Sequence, residues 1–313
     1  MAALALWCVG ALAQEWPVKP LRFIAPNLPG GPTDILARLI GQKLAETLGQ
    51  PVVIENRAGA AGNIGTEAAA KAPPDGYTLV TGNNATFGAN VSLYKRLGFD
   101  PVKDFAPIVL AATQPNILVV HPSLPVTSVK ELIVFAKARP GQLNYSGSGM
   151  GAAAHLAAEL FKSMTATNLV HIPYKSAAPA LTDLMAGETQ LMFATSLSVM
   201  QHIKANRVRA LGVTTAKRSR FLAELPTIAE SGVPGFEAST WHGVLVPAGT
   251  SAAIVERLNA EINRMLQSAD VRERLAAMGA EVVGGSAKEF AEHIQREIPK
   301  WAKVVKSIGV QLD

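Results

Sequence analysis

Short apolar runs alternate with segments in which apolar residues recur every three or four positions. The run Leu21–Ala25 is typical of a buried strand, and residues 35–44 after it carry apolar side chains at helical spacing. Similar strand and helix pairs follow at 52–71, 143–164, 169–186 and 189–205. This alternation predicts an α/β fold with mostly parallel sheets. Two long amphipathic helices, 254–267 and 288–308, are expected to cover the outside of the first domain.

The chain of 313 residues is long enough for two modest domains. His121–Pro125 resembles a linker, and residues 237–246 form an apolar run that returns towards the first unit. We therefore predict a discontinuous first domain at 14–121 and 241–313, with a second domain at 122–240.

The segment Asn27–Asp34 joins the first predicted strand to the first predicted helix. Pro29 stiffens this turn, and Gly30 and Gly31 let the backbone bend where a Cβ atom would clash. A turn before a helix presents free backbone N–H groups at the positive end of the helix dipole, which suits a carboxylate or a phosphate. The segment lacks the Walker lysine and the GxGxxG spacing of nucleotide sites. An anion-binding turn and a plain structural connection both remain open.

A second glycine-rich turn repeats this arrangement in the other half of the chain. It contains Gly147, Ser148, Gly149 and Gly151, between the strand 143–146 and the helix 152–164. His155 falls in the first turn of that helix, where it either donates to a ligand oxygen or caps its own helix. Two such turns, one in each half, are more informative than either alone.

Other candidate contacts follow predicted strands. Asn83 and Asn84 lie beyond the strand 77–81, and Thr195 lies in the loop 194–196 that follows the strand 189–193. Ligands of open α/β sheets bind at the carboxyl ends of strands, which makes these side chains candidate polar contacts. Trp241 either walls a cleft or belongs to the core.

Composition narrows the function classes. A hydrophobic content of 49%, a charged content of 17% and a net charge of +5 are typical of a well-packed globular protein. The charges are mixed along the chain without a Lys/Arg block, which argues against a nucleic-acid partner. The six histidines show no paired spacing and Cys8 is the only cysteine, so we predict neither a metal site nor a cofactor.

The N-terminus has the pattern of a signal peptide. Ala2–Ala13 is apolar and ends in the small-x-small sequence Ala11–Ala13. We therefore expect a signal peptide at 1–13, cleavage before Gln14 and an exported product.

Nucleophilic catalysis is not favoured. A nucleophile elbow needs Gly two residues on each side of Ser, but Ser146 and Met150 stand at those positions around Ser148. A hydrolase that uses Ser148 with His155 is the enzymatic alternative.

Many segments together carry a family resemblance. They are Trp16–Pro20, Pro29–Arg38, Gly49–Arg57, Gly59–Gly65, Pro74–Leu79, Tyr145–Gly149 with His155, His171–Lys175, Pro179–Asp183 and Ala210–Thr214. The sequence resembles the substrate-binding proteins of tripartite tricarboxylate transporters, the Bug family, over essentially the whole predicted mature chain.

The resemblance implies a type II periplasmic-binding-protein fold: two α/β lobes joined by crossing strands, with a ligand cleft between them. It implies a non-enzymatic, monomeric protein of the periplasm that captures a small organic carboxylate for the permease subunits of a tripartite transporter. A sensor partner of a membrane signalling protein is the alternative. The ligand-binding residues predicted from the pattern and the resemblance are Asn27, Pro29, Gly30, Gly31, Thr33, Asn83, Asn84, Ser146, Ser148, Gly149, Gly151, His155, Thr195 and Trp241.

Two departures from the family pattern affect the expected ligand grip. Pro32 replaces the third Gly of the Pro-Gly-Gly-Gly turn found in many relatives, which removes one N–H donor. Ala194 stands where relatives often carry an acidic residue that would suit a ligand ammonium group. We therefore expect an acid without an amine rather than an amino acid.

Overall fold

A computed structural model describes residues 16–148, 152–174, 177–219, 222–309 and 311–312. The predicted signal peptide at 1–13 lies outside these residues. Within them, no helix is both long and apolar enough to cross a bilayer.

Strands and helices alternate as the apolar pattern predicts. The strands are β1 (Leu21–Ala25), β2 (Val52–Asn56), β3 (Thr78–Asn83), β4 (Phe105–Gln114), β5 (Asn116–Val120), β6 (Leu143–Ser148), β7 (Leu169–Tyr174), β8 (Leu191–Thr195), β9 (Arg209–Val213), β10 (Thr240–Pro247) and β11 (Glu281–Val282). The helices are α1 (Pro32–Leu48), α2 (Asn63–Ala70), α3 (Asn90–Leu93), α4 (Val129–Lys137), α5 (Ala153–Thr165), α6 (Ala177–Ala186), α7 (Ser196–Lys204), α8 (Ala252–Leu266), α9 (Ala269–Ala277) and α10 (Ala287–Ile308).

The strands form two sheets with the same internal pattern. The first has the order β11-β4-β10-β3-β1-β2, and the second has the order β7-β6-β8-β5-β9. In each sheet a parallel trio (β2-β1-β3 or β7-β6-β8) is followed by one antiparallel strand, β10 or β5, and then by β4 or β9. Each antiparallel strand enters its sheet directly after the chain leaves the other one. The prediction of two α/β lobes joined by crossing strands, the type II periplasmic-binding-protein fold, is confirmed.

The position of the first crossing differs from the predicted domain boundary. The prediction assigned residues 116–121 to the first domain, but β5 pairs with β8 and β9 of the second sheet. All five of its residues are buried, as expected for a strand inside a sheet. Pro115 marks the crossing instead. His121–Pro125 looks like a linker only because it is a surface connection between β5 and α4.

The last helix joins the two lobes rather than covering the first alone. Phe290 and Ile294 of α10 pack with Phe87 and Phe105 in the first lobe. Further along α10, Trp301, Val304 and Val305 belong to the core cluster of the second lobe. This corrects the prediction that the helix covers only the outside of the first domain, because its apolar stripe continues past the edge of that domain.

A buried carboxylate ties α10 to the second crossing. Glu297 is 4% exposed, and its Oε2 accepts hydrogen bonds from the indole N–H of Trp241 on β10 at 2.9 Å and of Trp301 at 2.8 Å. Lys300 pairs with its other oxygen. The carboxylate therefore satisfies two buried indole donors at once.

We expect Glu297→Leu to destabilise the protein by about 3 kcal/mol, because two buried N–H groups lose their acceptor and each costs about 1–3 kcal/mol. Urea denaturation measures the change. Glu292→Leu is the matched control: this side chain on the same helix is half exposed, and its loss should cost about 0.5 kcal/mol or less. Equal destabilisation by the two variants would contradict the role of Glu297.

Candidate ligand-binding cleft

The strand registers bring the carboxyl ends of both parallel trios to the crossings. Asn83, the last residue of β3, pairs with His242 on β10, and Thr195, the last residue of β8, pairs with Asn116 on β5. The crossing segments also touch, since Asn116 Nδ2 donates to the Ala238 carbonyl oxygen at 3.4 Å. The loops after β1 and β3 therefore lie across the crossings from the loops of the second lobe.

A cavity of about 350 Å³ lies between the lobes at this place. It is lined by Asn27, Ala61, Asn83, Asn84, Ala85, Leu93, Tyr94, Ala152, Ala153, Thr240 and Leu312. The cavity thus brings the predicted residues Asn27, Asn83 and Asn84 to the start of α5, the helix after the second glycine-rich turn. Its size is within the range of small-molecule sites.

The first turn is held together from within. Asp34 is 2% exposed and accepts hydrogen bonds from the Gly30 N–H at 2.9 Å and from Asn56 Nδ2 at 2.8 Å. Burial acts to raise the pKa of Asp34, but hydrogen bonds from Arg38, Gly30 and Asn56 hold it below its ordinary value. The Gly30 N–H is therefore occupied by the protein's own carboxylate, contrary to the prediction that it serves a ligand.

The other members of this turn are divided between two cavities. Pro29, Gly30 and Gly31 border a neighbouring open hollow of about 610 Å³. Asn27 and Ala61 border both that hollow and the cavity between the lobes. Thr33 is buried, and its Oγ1 accepts a hydrogen bond from Asn27 Nδ2 at 3.1 Å. Thr33 therefore orients Asn27 and does not itself line the cavity between the lobes.

The two asparagines at the end of β3 differ in the hydrogen-bonding groups that remain available to a ligand. The Oδ1 atom of Asn83 accepts from the backbone N–H groups of Ala85 and Thr86, at 2.9 and 3.1 Å. With both lone pairs engaged, Asn83 can serve a ligand only through its NH₂ group. Asn84 lines the cavity and is 4% exposed.

The second turn is only partly within the described residues. Gly149, Gly151 and the side chain of Ser148 lie outside them. Ser146 is 1% exposed, pairs in register with Met192 and does not line the cavity between the lobes. Its hydroxyl is buried without a hydrogen-bond partner among the described residues, and its contact with a ligand stays a prediction.

The His155 ring lies in the core of the second lobe and not in the cavity. It is 3% exposed, 4.4 Å from the His171 ring and 6.4 Å from the Tyr145 ring, and its Nε2 is 3.9 Å from Glu159 Oε1. Burial, reinforced by His171, lowers the pKa of His155 to about 4. What α5 presents to the cavity is its first turn, at Ala152 and Ala153. The imidazole is therefore not among the described residues that line the cavity, and its contact with a ligand stays a prediction.

Trp241 and Thr195 are also placed elsewhere. Trp241 is 1% exposed and packs edge-on against Phe290 at 5.6 Å, so its side chain belongs to the core. Its neighbour Thr240 lines the cavity instead, because successive side chains of a strand point to opposite faces. Thr195 does not line the cavity, and its Oγ1 donates to Ser198 Oγ at 3.0 Å.

The sequence reasoning missed eight of the described lining residues: Ala61, Ala85, Leu93, Tyr94, Ala152, Ala153, Thr240 and Leu312. Leu93 ends a short helix, Tyr94 follows it, and Leu312 is near the end of the chain. No motif distinguishes these last three residues, which are distant in sequence from both glycine-rich turns. Thr240 carried a usable signal, since it lies in the run 237–246 predicted to return to the first domain.

The described part of the cavity lining is polar without carrying charge. Among the described lining residues, none has an ionisable acidic or basic side chain apart from the phenol of Tyr94. The first backbone N–H groups of α5 have no acceptor within the helix, and the N-cap residue Ala152 has no side chain that could cap them. Ala194 is buried with Met192 and Val199 in the core and does not border the cavity. Among the described residues, no three His, Cys, Asp or Glu side chains group as metal ligands.

Comparison with known proteins identifies the family. Residues 36–310 match the family described as the tripartite tricarboxylate transporter family receptor. The chain belongs to this family. The resemblance stated from the sequence motifs is therefore confirmed, and the family is one of solute-binding receptors.

Three relatives are similar to this receptor over nearly its whole length. BugT of Bordetella pertussis is 39% identical over 301 residues, which cover 96% of this chain and 92% of BugT. The solved structure of Rpa4515 of R. palustris with adipate is 42% identical, with a TM-score of 0.78 and coverage of 95% of this chain and 99% of that one. MatC from Rhodopseudomonas palustris, solved with bound malate, is 33% identical with a TM-score of 0.74 over 93% of this chain and all (100%) of that one.

One buried histidine of this receptor makes its stability pH-dependent. His242 is 5% exposed, and neither ring nitrogen has a hydrogen-bond partner within the described residues. Burial lowers its pKa to about 4. Below about pH 6.5 this histidine binds a proton in the unfolded chain, but in the folded protein it stays neutral until the pH approaches 4. Stability is therefore full above this pH and falls as the pH drops towards 4.

We expect His242→Leu to reduce the loss of stability between pH 7 and pH 5 by about 1–2 kcal/mol, because this linkage is removed. Urea denaturation at pH 8, 7 and 5 measures it, with pH 8 as the reference at which the linkage makes no contribution. An identical pH dependence of the variant and the parent protein would contradict the assignment.

Proposed function

We propose that this receptor is exported, binds a small carboxylic acid in the cleft between its lobes and presents it to the membrane permease of a tripartite transporter. The observation that carries the proposal is the cavity in which Asn27, Asn83 and Asn84 meet the start of α5. Adipate and malate, present in the structures of two relatives, are acids of the proposed class.

The chemistry of the lining suits an anion held by neutral donors. A carboxylate only accepts hydrogen bonds, while side-chain amides and the N–H groups of a helix start donate them. Such charge-assisted bonds are stronger than bonds between neutral groups. Since no lysine or arginine is among the described residues that line the cavity, a ligand at these residues would not need to displace a counter-charge.

The crossings supply a hinge for this function. The chain passes between the lobes in the short segments 114–116 and 238–240, so changes at a few backbone angles suffice to rotate one lobe against the other. Closure around the ligand would exclude water and strengthen each hydrogen bond to its carboxylate.

The surroundings of His155 favour binding over catalysis. Its ring is buried against His171 and near Glu159. A general base needs to be within reach of the substrate, and the ring does not border the cavity. We therefore propose a binding protein and not a hydrolase.

The lining also bears on the class of acid. An amino acid carries an ammonium group, and the part of the lining that the structure describes offers it no carboxylate partner. Burying an unpaired ammonium is costly. We therefore propose that the ligand is an acid without an amine. The reason is the uncharged side chains of the described lining residues, since Ala194 does not border the cavity.

We expect titration calorimetry to show binding of simple dicarboxylates such as adipate, malate or succinate near micromolar affinity, about −8 kcal/mol. Aspartate and glutamate should bind at least about tenfold more weakly, because their ammonium group lacks a partner. Tight binding of the two amino acids with none of the simple acids would overturn the proposal.

A backbone substitution tests the role of α5. Ala153 is the first residue of the helix, where proline is tolerated, and Ala152 already has the extended φ of −66° and ψ of 154° that a following proline requires. We expect Ala153→Pro to keep the thermal midpoint and to weaken carboxylate binding about tenfold, because one N–H donor is lost.

Ala153→Val is the matched control, since it adds similar volume but retains the N–H group. It should bind the acid more tightly than the proline variant. If the two variants bind equally, the start of α5 does not donate to the ligand.

A further inference from the structure

The cavity between the lobes has a polar side and an apolar side. The polar side is formed by Asn27, Asn83, Asn84 and Thr240. The apolar side includes Leu93, Tyr94 and Leu312. A small inorganic anion or a compact acid would contact only the polar side. Binding of such a ligand therefore does not account for the apolar residues on the other side.

Leu312 is held in place by backbone pairing. Its N–H donates to the Leu93 carbonyl oxygen at 2.7 Å, and its own carbonyl accepts from the Lys95 N–H at 2.9 Å, in a parallel bridge opposite Tyr94. Gly309, with a φ of 64°, ends α10 and directs the chain towards this pairing. Main-chain hydrogen bonds therefore fix the position of residue 312. These bonds do not depend on which side chain stands there, so the leucine can be replaced without removing them.

The side chains of Tyr94 and Leu312 connect the cavity to the second lobe. Tyr94 and Leu312 are partly buried and pack against the core cluster that contains Leu156 and Trp301. They therefore form a wall that rests on a packed surface, instead of two mobile side chains at the rim. Apolar groups of a ligand placed against this wall would be removed from water, which is favourable in proportion to the area buried.

We propose that Tyr94 and Leu312 form the apolar wall that selects acids with an extended hydrocarbon chain or ring over compact acids. This inference rests on the proposed function and assigns a specificity role to the end of the chain. A carboxylate lies at the amide side, and the hydrocarbon part of the ligand extends along the wall. Each methylene group buried there strengthens binding about fourfold.

The test is a calorimetric series of unbranched α,ω-dicarboxylates with four to eight carbons, measured on the full chain. The parent protein is expected to bind the longer acids more tightly, by about fourfold for each added methylene until the wall is covered. Leu312→Ala is expected to weaken binding of the longer acids about tenfold and that of the four-carbon acid less than about twofold. The chain-length dependence is the readout that a merely structural role would not move.

Two companion variants separate packing from recognition. Gln311→Ala is the matched control, because this neighbouring residue is exposed and does not line the cavity; it should preserve the whole series. Leu312→Met keeps the volume and should restore affinity for long acids, whether or not the alanine variant is less stable.

The outcomes are distinct. If no acid binds the parent protein, the proposed function fails. If acids bind but affinity is independent of chain length, or if Leu312→Ala weakens short and long acids equally, the wall is overturned while the proposed function stands.

Discussion

Each lobe of this receptor completes its sheet with a strand that arrives directly from the other lobe. β5 enters between β8 and β9 immediately after β4, and β10 enters between β3 and β4 after the chain leaves the second lobe. Because a central strand is bonded on both sides, the strands that flank each crossing are fixed in their sheets, and only the short segment between them can bend. The crossings are thus fixed at both ends and short between them, which makes the cleft a place of defined geometry and confines motion to a hinge.

This constraint also explains where the polar groups accumulate. The ends of β3 and β8 lie beside the crossing strands, and the loops that follow them cannot be covered by further strands. Polar groups in such loops need partners, and several find them within the protein: the Asn83 oxygen binds the following backbone, and Asp34 binds Gly30 and Asn56. What the described residues direct at the cavity is a set of neutral polar groups, without a charged side chain among them.

The C-terminal helix gives the two lobes a second connection. Glu297 holds indoles from β10 and from α10 itself, and the last turns of the helix pack into the second lobe. Beyond the helix, Leu312 pairs with residues 93–95 and reaches the cavity. Leu312 therefore borders the cavity between the lobes, although it is far in sequence from every glycine-rich turn. Hinge motion and ligand selection would be linked through this segment.

The apolar pattern by itself determined the order of strands and helices and the two α/β units, because periodicity and turn residues act locally along the chain, while the family followed from the resemblance of sequence motifs. Asn27, Asn83 and Asn84 were expected at strand ends and do line the cavity, since strand ends gather at one edge of a sheet. Tertiary structure alone decided that β5 belongs to the second lobe, that His155 and Trp241 lie in cores, and that Tyr94 and Leu312 reach the cavity. Those outcomes depend on which face of a strand or helix finds a partner, and that partner lies tens or hundreds of residues away along the chain.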